Sequence, residues 1–95
     1  MASIRMQHGV SDFDAWKRLF DSDPLDRPGS GVRSYRISRP VDDANTVIVD
    51  LEFDTVAEAR TFLGRLEELW AGPARQMLTG ARGVVVEEFE SATVG

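Results

Sequence analysis

The stretch from Asn45 to Glu58 limits the possible folds of this chain more than any other part of the sequence. Its first half alternates strictly between an apolar set and a mixed set: Val47, Val49, Leu51 and Phe53 against Thr46, Ile48, Asp50 and Glu52. Successive residues of a strand point to opposite faces of the sheet, so the apolar face should lie on a core. The mixed face then needs water or a second protein surface. Thr55 and Glu58 form a capping box, so a helix should follow at once.

Similar patterns predict the other elements. The predicted elements are strands over 3–8, 32–39, 46–53 and 84–90 and helices over 12–21 and 56–70. Ser11 is expected to cap the first helix, and Gly72-Pro73 to end the second. Residues 74–79 should add one helical turn that Gly80 breaks, and residues 91–95 should form a disordered tail. The chain is therefore expected to be one domain over residues 1–95.

The order of elements predicts an α+β, ferredoxin-like β-α-β-β-α-β fold. In this arrangement a four-stranded antiparallel sheet carries both helices on one face. Right-handed crossovers place the first and third strands at the centre of the sheet and the other two at its edges. The stretch that begins at Asn45 is therefore predicted to be a central strand.

The second face of that sheet would be bare in a single chain. Ile48, Val32 and part of Val84–Val86 are expected to be exposed there. A homodimer is the simplest cover, because a two-fold axis lets one patch cover itself. The polar residues expected in the dimer interface beside Ile48 are Arg5, Gln7, Arg36, Asp50 and Glu52. For Asp50 and Glu52, salt bridges are a better reading than paired-carboxylate chemistry.

Composition excludes several functions. The net charge of −5 and the scattered arginines argue against nucleic-acid binding. The chain has no cysteine and a single histidine, so no metal site and no cofactor are expected. No apolar run approaches the ~20 residues of a membrane span, and the first residues do not resemble a signal peptide. A cytoplasmic protein without membrane partners is expected.

Two segments carry a family resemblance. The segment His8-Gly-Val-Ser-Asp-Phe-Asp-Ala-Trp16 and the run Leu-Glu-Phe-Asp-Thr-Val-Ala-Glu-Ala over 51–59, with the order of elements, resemble the dimeric α/β-barrel superfamily. It includes antibiotic-biosynthesis monooxygenases, aromatic polyketide cyclases, haem-degrading monooxygenases and stress-responsive barrel proteins. The resemblance implies that two sheets pack into a shared barrel. It also implies that a small hydrophobic or aromatic molecule binds between each sheet and its own helices.

The implied pocket would be lined by His8, Trp16, Tyr35, Trp70 and Met77. His8 is the candidate catalytic residue, because an imidazole can move protons near neutral pH. The alternative for His8 is a structural hydrogen bond at the end of a strand. Core packing is the alternative for Trp16, and amphipathic packing for Tyr35.

The chain also departs from the family pattern. Its first strand has no asparagine and neither helix has a histidine, so haem degradation and a standard quinone-forming monooxygenase reaction are not expected. Three readings stay open. The protein is a cyclase-like or monooxygenase-like enzyme, a dimeric module that binds a ligand without turning it over, or an interaction protein whose interior is filled by its own side chains. A cavity that reaches His8 would favour the first two.

Overall fold

The computed structural model describes residues 1–72 and 74–95, so Pro73, part of the predicted helix terminator, lies outside the described residues. The strands and helices follow the predicted β-α-β-β-α-β order. Their bounds are β1 Ala2–Val10, α1 Phe13–Asp21, β2 Val32–Ser38, β3 Thr46–Phe53, α2 Val56–Ala71 and β4 Leu78–Glu87. A short 3₁₀ turn over Pro28–Ser30 lies between α1 and β2. Residues 88–95 have no regular secondary structure and are exposed.

The sheet is antiparallel throughout, with strand order β2-β3-β1-β4. The predicted central strands, β1 and β3, are confirmed. Their register pairs Ile4 with Leu51 and His8 with Val47, so the core-facing residues of the two strands lie side by side. In antiparallel sheets such directly opposed residues share one face.

The predicted alternation of β3 is also confirmed. Its four apolar residues, from Val47 to Phe53, are at most 1% exposed, and those between them are half-buried. Trp16 of α1 and Phe62 and Leu66 of α2 pack against this face in one continuous core. Each fully buried side chain of this size contributes about 1.5–3 kcal/mol to folding, which is why the strand keeps this orientation.

The caps of the two helices differ in how well they could be predicted. Thr55 caps α2 as expected, since its hydroxyl accepts a 3.1 Å hydrogen bond from the backbone N–H of Glu58. The prediction of Ser11 as the cap of α1 is wrong by one residue. Asp12 is the N-cap, and its carboxylate accepts hydrogen bonds from the backbone N–H groups of Asp14 and Ala15 at 3.0 and 3.2 Å. A carboxylate satisfies these free donors at the positive end of the helix dipole.

Strand β4 begins earlier than predicted, so the predicted helical turn over 74–79 is wrong. The chain makes a turn over 74–77 and enters the sheet at Leu78. Pairing with β1 continues through an irregularity, because Gln7 opposes Arg82 while Gly9 opposes Thr79. Two residues of β4 therefore face the single residue His8, which is a β-bulge. Gly80 permits it, with a φ of 60° that other residues adopt rarely.

A second irregularity corrects the predicted position of Val32. Val32 opposes Phe53, but Ser34 opposes Glu52, so Arg33 is an extra residue in β2. The bulge turns Val32 toward the core, where it packs as a half-buried side chain. The prediction that Val32 lies on the bare face is therefore wrong, because strict alternation fails at a bulge.

The face of the sheet opposite the helices is called the outer face. By register it carries Ser3, Arg5, Gln7, Ser34, Arg36, Ile48, Asp50, Glu52, Arg82, Val84 and Val86. Arg5 donates a 2.9 Å hydrogen bond to Asp50, as expected for a salt bridge between these strands. Val84 is 54% exposed. In the single chain this face has no cover within the described residues.

Candidate functional site

A small cavity lies between the sheet and the two helices. Its volume is about 60 Å³. We call it the His8 cavity, and its lining residues are Met6, His8, Trp16, Leu19, Phe20, Asp23, Pro24, Leu25, Arg27, Leu51, Phe62, Leu66, Leu69, Trp70, Ala74 and Leu78. The sheet, both helices, the turn before β4 and the loop after α1 all contribute. The lining is mainly apolar, so the few polar groups in it decide what could bind there.

His8 is the polar group that β1 places in the cavity. It is only 3% exposed, and among the described residues neither ring nitrogen has a hydrogen-bond partner. The structural hydrogen bond considered for His8 is therefore not found in this part of the chain. Burial lowers the pKa of His8 from 6.5 to about 4, so the imidazole is neutral at pH 7. A neutral imidazole offers one donor and one acceptor.

Two tryptophans flank His8. The ring centroid of Trp16 lies 5.7 Å from that of His8, and the ring centroid of Trp70 lies 6.2 Å from it. Both indoles are tilted to the imidazole by more than 50°. Trp16 reaches the cavity from the apolar stripe of α1, and Trp70 from the last turn of α2. These are the only two tryptophans of the chain, and together they give the cavity aromatic walls.

Tyr35 and Met77 are not among the residues that line the His8 cavity. Tyr35 lies on the edge strand β2, is 48% exposed, and packs edge-on against Phe20 with ring centroids 5.0 Å apart. Met77 lies in the turn before β4, half-buried against the core. The structure thus brings together three of the five pocket residues expected from the resemblance: His8, Trp16 and Trp70.

The loop between α1 and β2 supplies residues that the sequence analysis did not select. Asp23, Leu25 and Arg27 all line the cavity. The guanidinium carbon of Arg27 lies 3.8 Å from the ring centroid of Phe20, and its Nη1 donates a 2.8 Å hydrogen bond to the carbonyl of Phe20. A loop has no periodicity to indicate which side chains point inward. The only available signal was Leu25, an apolar residue alone among polar ones.

Other candidate sites receive no support from the geometry. Asp50 and Glu52 lie on the outer face, away from the His8 cavity. The described part of the chain has no group of three or more His, Asp or Glu side chains placed to hold a metal ion. Among the same residues, no helix has the length and apolar character needed to cross a membrane.

Comparisons with known proteins identify the fold. No family model matches this chain. No curated protein matches it either. Solved structures do match over nearly the whole chain. One is a candidate antibiotic biosynthesis monooxygenase from Deinococcus radiodurans, with a TM-score of 0.72, 15% identity, and coverage of 100% of this chain and 99% of the other.

Two further structures extend the comparison. A dimeric ferredoxin-like protein from an uncultured marine organism has a TM-score of 0.62 and 16% identity, and the match covers 98% of this chain and 96% of the other. An MhuD variant with two manganese protoporphyrin IX molecules bound per active site has a TM-score of 0.67 and 13% identity. The match covers 99% of this chain and 100% of the other. At such identities the likeness shows the ferredoxin-like fold, and a fold hosts many functions.

Proposed function

We propose that this protein is a homodimer that binds a small aromatic molecule with one hydrogen-bonding group in the His8 cavity. The observation that carries the proposal is the pair of His8 nitrogens, which have no hydrogen-bond partner among the described residues; His8 is 3% exposed and lies between two tryptophans. A buried polar group without a partner costs about 1–3 kcal/mol. A ligand hydroxyl would recover that free energy by bonding to the imidazole, while the indoles contact the ring.

The size of the cavity limits the ligand. At about 60 Å³ it is smaller than the ~150 Å³ cavity that holds benzene in an engineered protein. A single aromatic ring therefore requires some side chains to move aside. Leu25 is the lining residue best able to do so, because it lies in the loop between α1 and β2 and is not part of the sheet or helices. A ligand as large as a porphyrin is not part of this proposal.

Hydrogen bonding suits His8 better than proton transfer. A general base works best when its pKa lies near the operating pH, and burial lowers that of His8 to about 4. The neutral imidazole is a weak base at pH 7, but it is a competent donor and acceptor. Catalysis on an aromatic substrate, with His8 as the acid or base, would require the bound ligand to raise this pKa.

The outer face supports the homodimer in this proposal. It combines the exposed Val84 and the half-buried Ile48 with the Arg5–Asp50 ion pair. Under a two-fold axis both copies use the same patch, so apolar groups can meet apolar groups and charged groups can pair across the seam. Dimeric ferredoxin-like proteins are among the structural neighbours.

The test uses phenol and toluene, which have similar size but differ in the hydroxyl. Both are titrated into the wild-type protein, His8→Leu and a surface control, Thr61→Ala. Fluorescence of the two cavity tryptophans and calorimetry report binding. We expect the wild type and Thr61→Ala to prefer phenol about tenfold, as one recovered hydrogen bond implies, and His8→Leu to lose that preference. Equal affinity for the two compounds in the wild type, or binding of neither, would refute the proposal.

A further inference from the structure

The mouth of the His8 cavity carries a fixed cation. Arg27 lines the cavity, its side chain is only 16% exposed, and its guanidinium lies over the rings of Phe20 and Tyr35. The guanidinium carbon is 3.8 Å from the ring centroid of Phe20 and 5.2 Å from that of Tyr35. With the hydrogen bond to the Phe20 carbonyl, these contacts hold the group in place before any ligand arrives.

Most hydrogen-bond donors of this guanidinium remain available. An arginine side chain has five N–H donors, and the described residues accept one hydrogen bond from it, at the Phe20 carbonyl. Arg27 does form a salt bridge with Asp23, whose Oδ1 lies 3.6 Å from Nε, but this distance is too long for a hydrogen bond. The same Oδ1 accepts a 2.9 Å hydrogen bond from the Arg27 backbone N–H, so Asp23 chiefly holds the loop turn.

We propose that Arg27 binds a carboxylate of the ligand, so that the ligand of the His8 cavity is a hydroxylated aromatic acid. This inference rests on the proposed binding function and adds that the ligand carries a negative charge. The ring would lie between Trp16 and Trp70, its hydroxyl on His8 and its carboxylate on Arg27. A planar guanidinium matches a carboxylate with two parallel hydrogen bonds, and a group already in position loses little entropy on binding.

Asp23 opposes this binding and provides a sharp test. Its negative charge at the same mouth weakens the attraction of Arg27 for an anion. Asp23→Asn removes that charge but keeps an oxygen that can accept the Arg27 backbone hydrogen bond, so the loop turn should survive. Arg27→Gln removes the cation. The two variants should therefore change the affinity for an acid in opposite directions.

The experiment compares phenol with 3-hydroxybenzoate and 4-hydroxybenzoate, by tryptophan fluorescence and calorimetry. We expect at least one acid to bind the wild type about tenfold more tightly than phenol, as a charge-assisted pair implies. This acid-to-phenol ratio should fall to about one in Arg27→Gln and rise in Asp23→Asn. It should not change in Arg18→Gln, an exposed arginine of α1. Added salt should lower the ratio in the wild type only slightly, because a charge pair at a side chain that is 16% exposed is screened much less than a pair at the surface.

The outcomes distinguish this inference from the function on which it rests. Phenol binding without a preference for either acid, or a ratio that Arg27→Gln leaves unchanged, overturns the role of Arg27 alone. Binding of none of the three compounds overturns both. Thermal denaturation followed by circular dichroism establishes that each variant is folded. Should Arg27→Gln fail to fold, an acid-to-phenol ratio that does not rise in Asp23→Asn still overturns the role of Arg27.

Discussion

Replacement of His8 by leucine should change how the stability of the protein depends on pH. Within residues 1–72 and 74–95 the buried imidazole has no hydrogen-bond partner to stabilise a positive charge, so the folded protein resists its protonation. The unfolded chain protonates the same residue with an ordinary pKa. Protons therefore favour the unfolded state as the pH falls. Leucine has similar size and does not titrate, so His8→Leu should lack this effect.

The magnitude follows from the pKa of His8. Burial lowers it from 6.5 to about 4, which corresponds to about 3 kcal/mol at ~1.4 kcal/mol per pH unit. The sign follows from linkage: between these pH values the unfolded chain binds a proton that the folded chain does not. This contribution of His8 to the free energy of unfolding is thus fully present above pH 6.5 and is lost as the pH falls to about 4.

Urea denaturation at several pH values between 7 and about 4 measures the effect. One fixed protein concentration is used, because the proposed dimer would add to the apparent stability. Asp43 and Asp54 also lose stabilising interactions in acid, since hydrogen bonds from Thr46 and Arg33 lower their pKa values. Both are present in both proteins, so their effect cancels in the comparison. The stability of the wild type relative to His8→Leu should fall by about 3 kcal/mol across this range. Parallel curves would refute the reasoning.

Four further predictions concern the scaffold. Ile48→Glu should place a charge in the proposed dimer seam and halve the mass measured by light scattering; an unchanged mass would contradict the outer face as interface. Thr55→Ala should lower the free energy of unfolding by about 1 kcal/mol through loss of the α2 cap, whereas Thr55→Ser should not; equal losses would show that the cap bond is not responsible. Gly64→Ala should stabilise α2 by about 0.5–1 kcal/mol because its added Cβ meets no atom of the described residues within 4 Å. Gly31→Ala should destabilise the protein because its φ is 95°, and chemical denaturation giving the reverse order would exclude this explanation.

The sequence predicted those parts of the fold that depend on regular patterns. Strand β3 was predictable because alternation and burial agree at every position, and α2 because the cap at Thr55 coincides with the start of its apolar stripe. The start of β4 could not be predicted from such patterns. Gly80 resembles a helix terminator, but pairing with β1 overrides this local preference and uses the glycine in a bulge.

The candidate site, like the fold, was predictable only in part. His8 was predicted to face the helices because it shares the parity of Ile4 and Met6 in β1, and the structure places it there. Its lack of hydrogen bonds could not be predicted, since this depends on the whole tertiary environment. Arg27 was missed because loop side chains follow no periodic rule. Its stacking on Phe20 becomes visible only once the loop is folded.

Strand β1 cannot complete its hydrogen bonding until β3 and β4, which come much later in the sequence, have reached it. Ala2 pairs with Phe53 on one side and with Glu87 on the other, so both ladders of this central strand join residues far apart in sequence. Contacts of this kind require closure of long loops, which slows folding. We expect β4 to dock late, because its partner strand must already be in place. Ala74 and Leu78, which line the cavity, are next to or within β4, so we expect the His8 cavity to be completed late in folding.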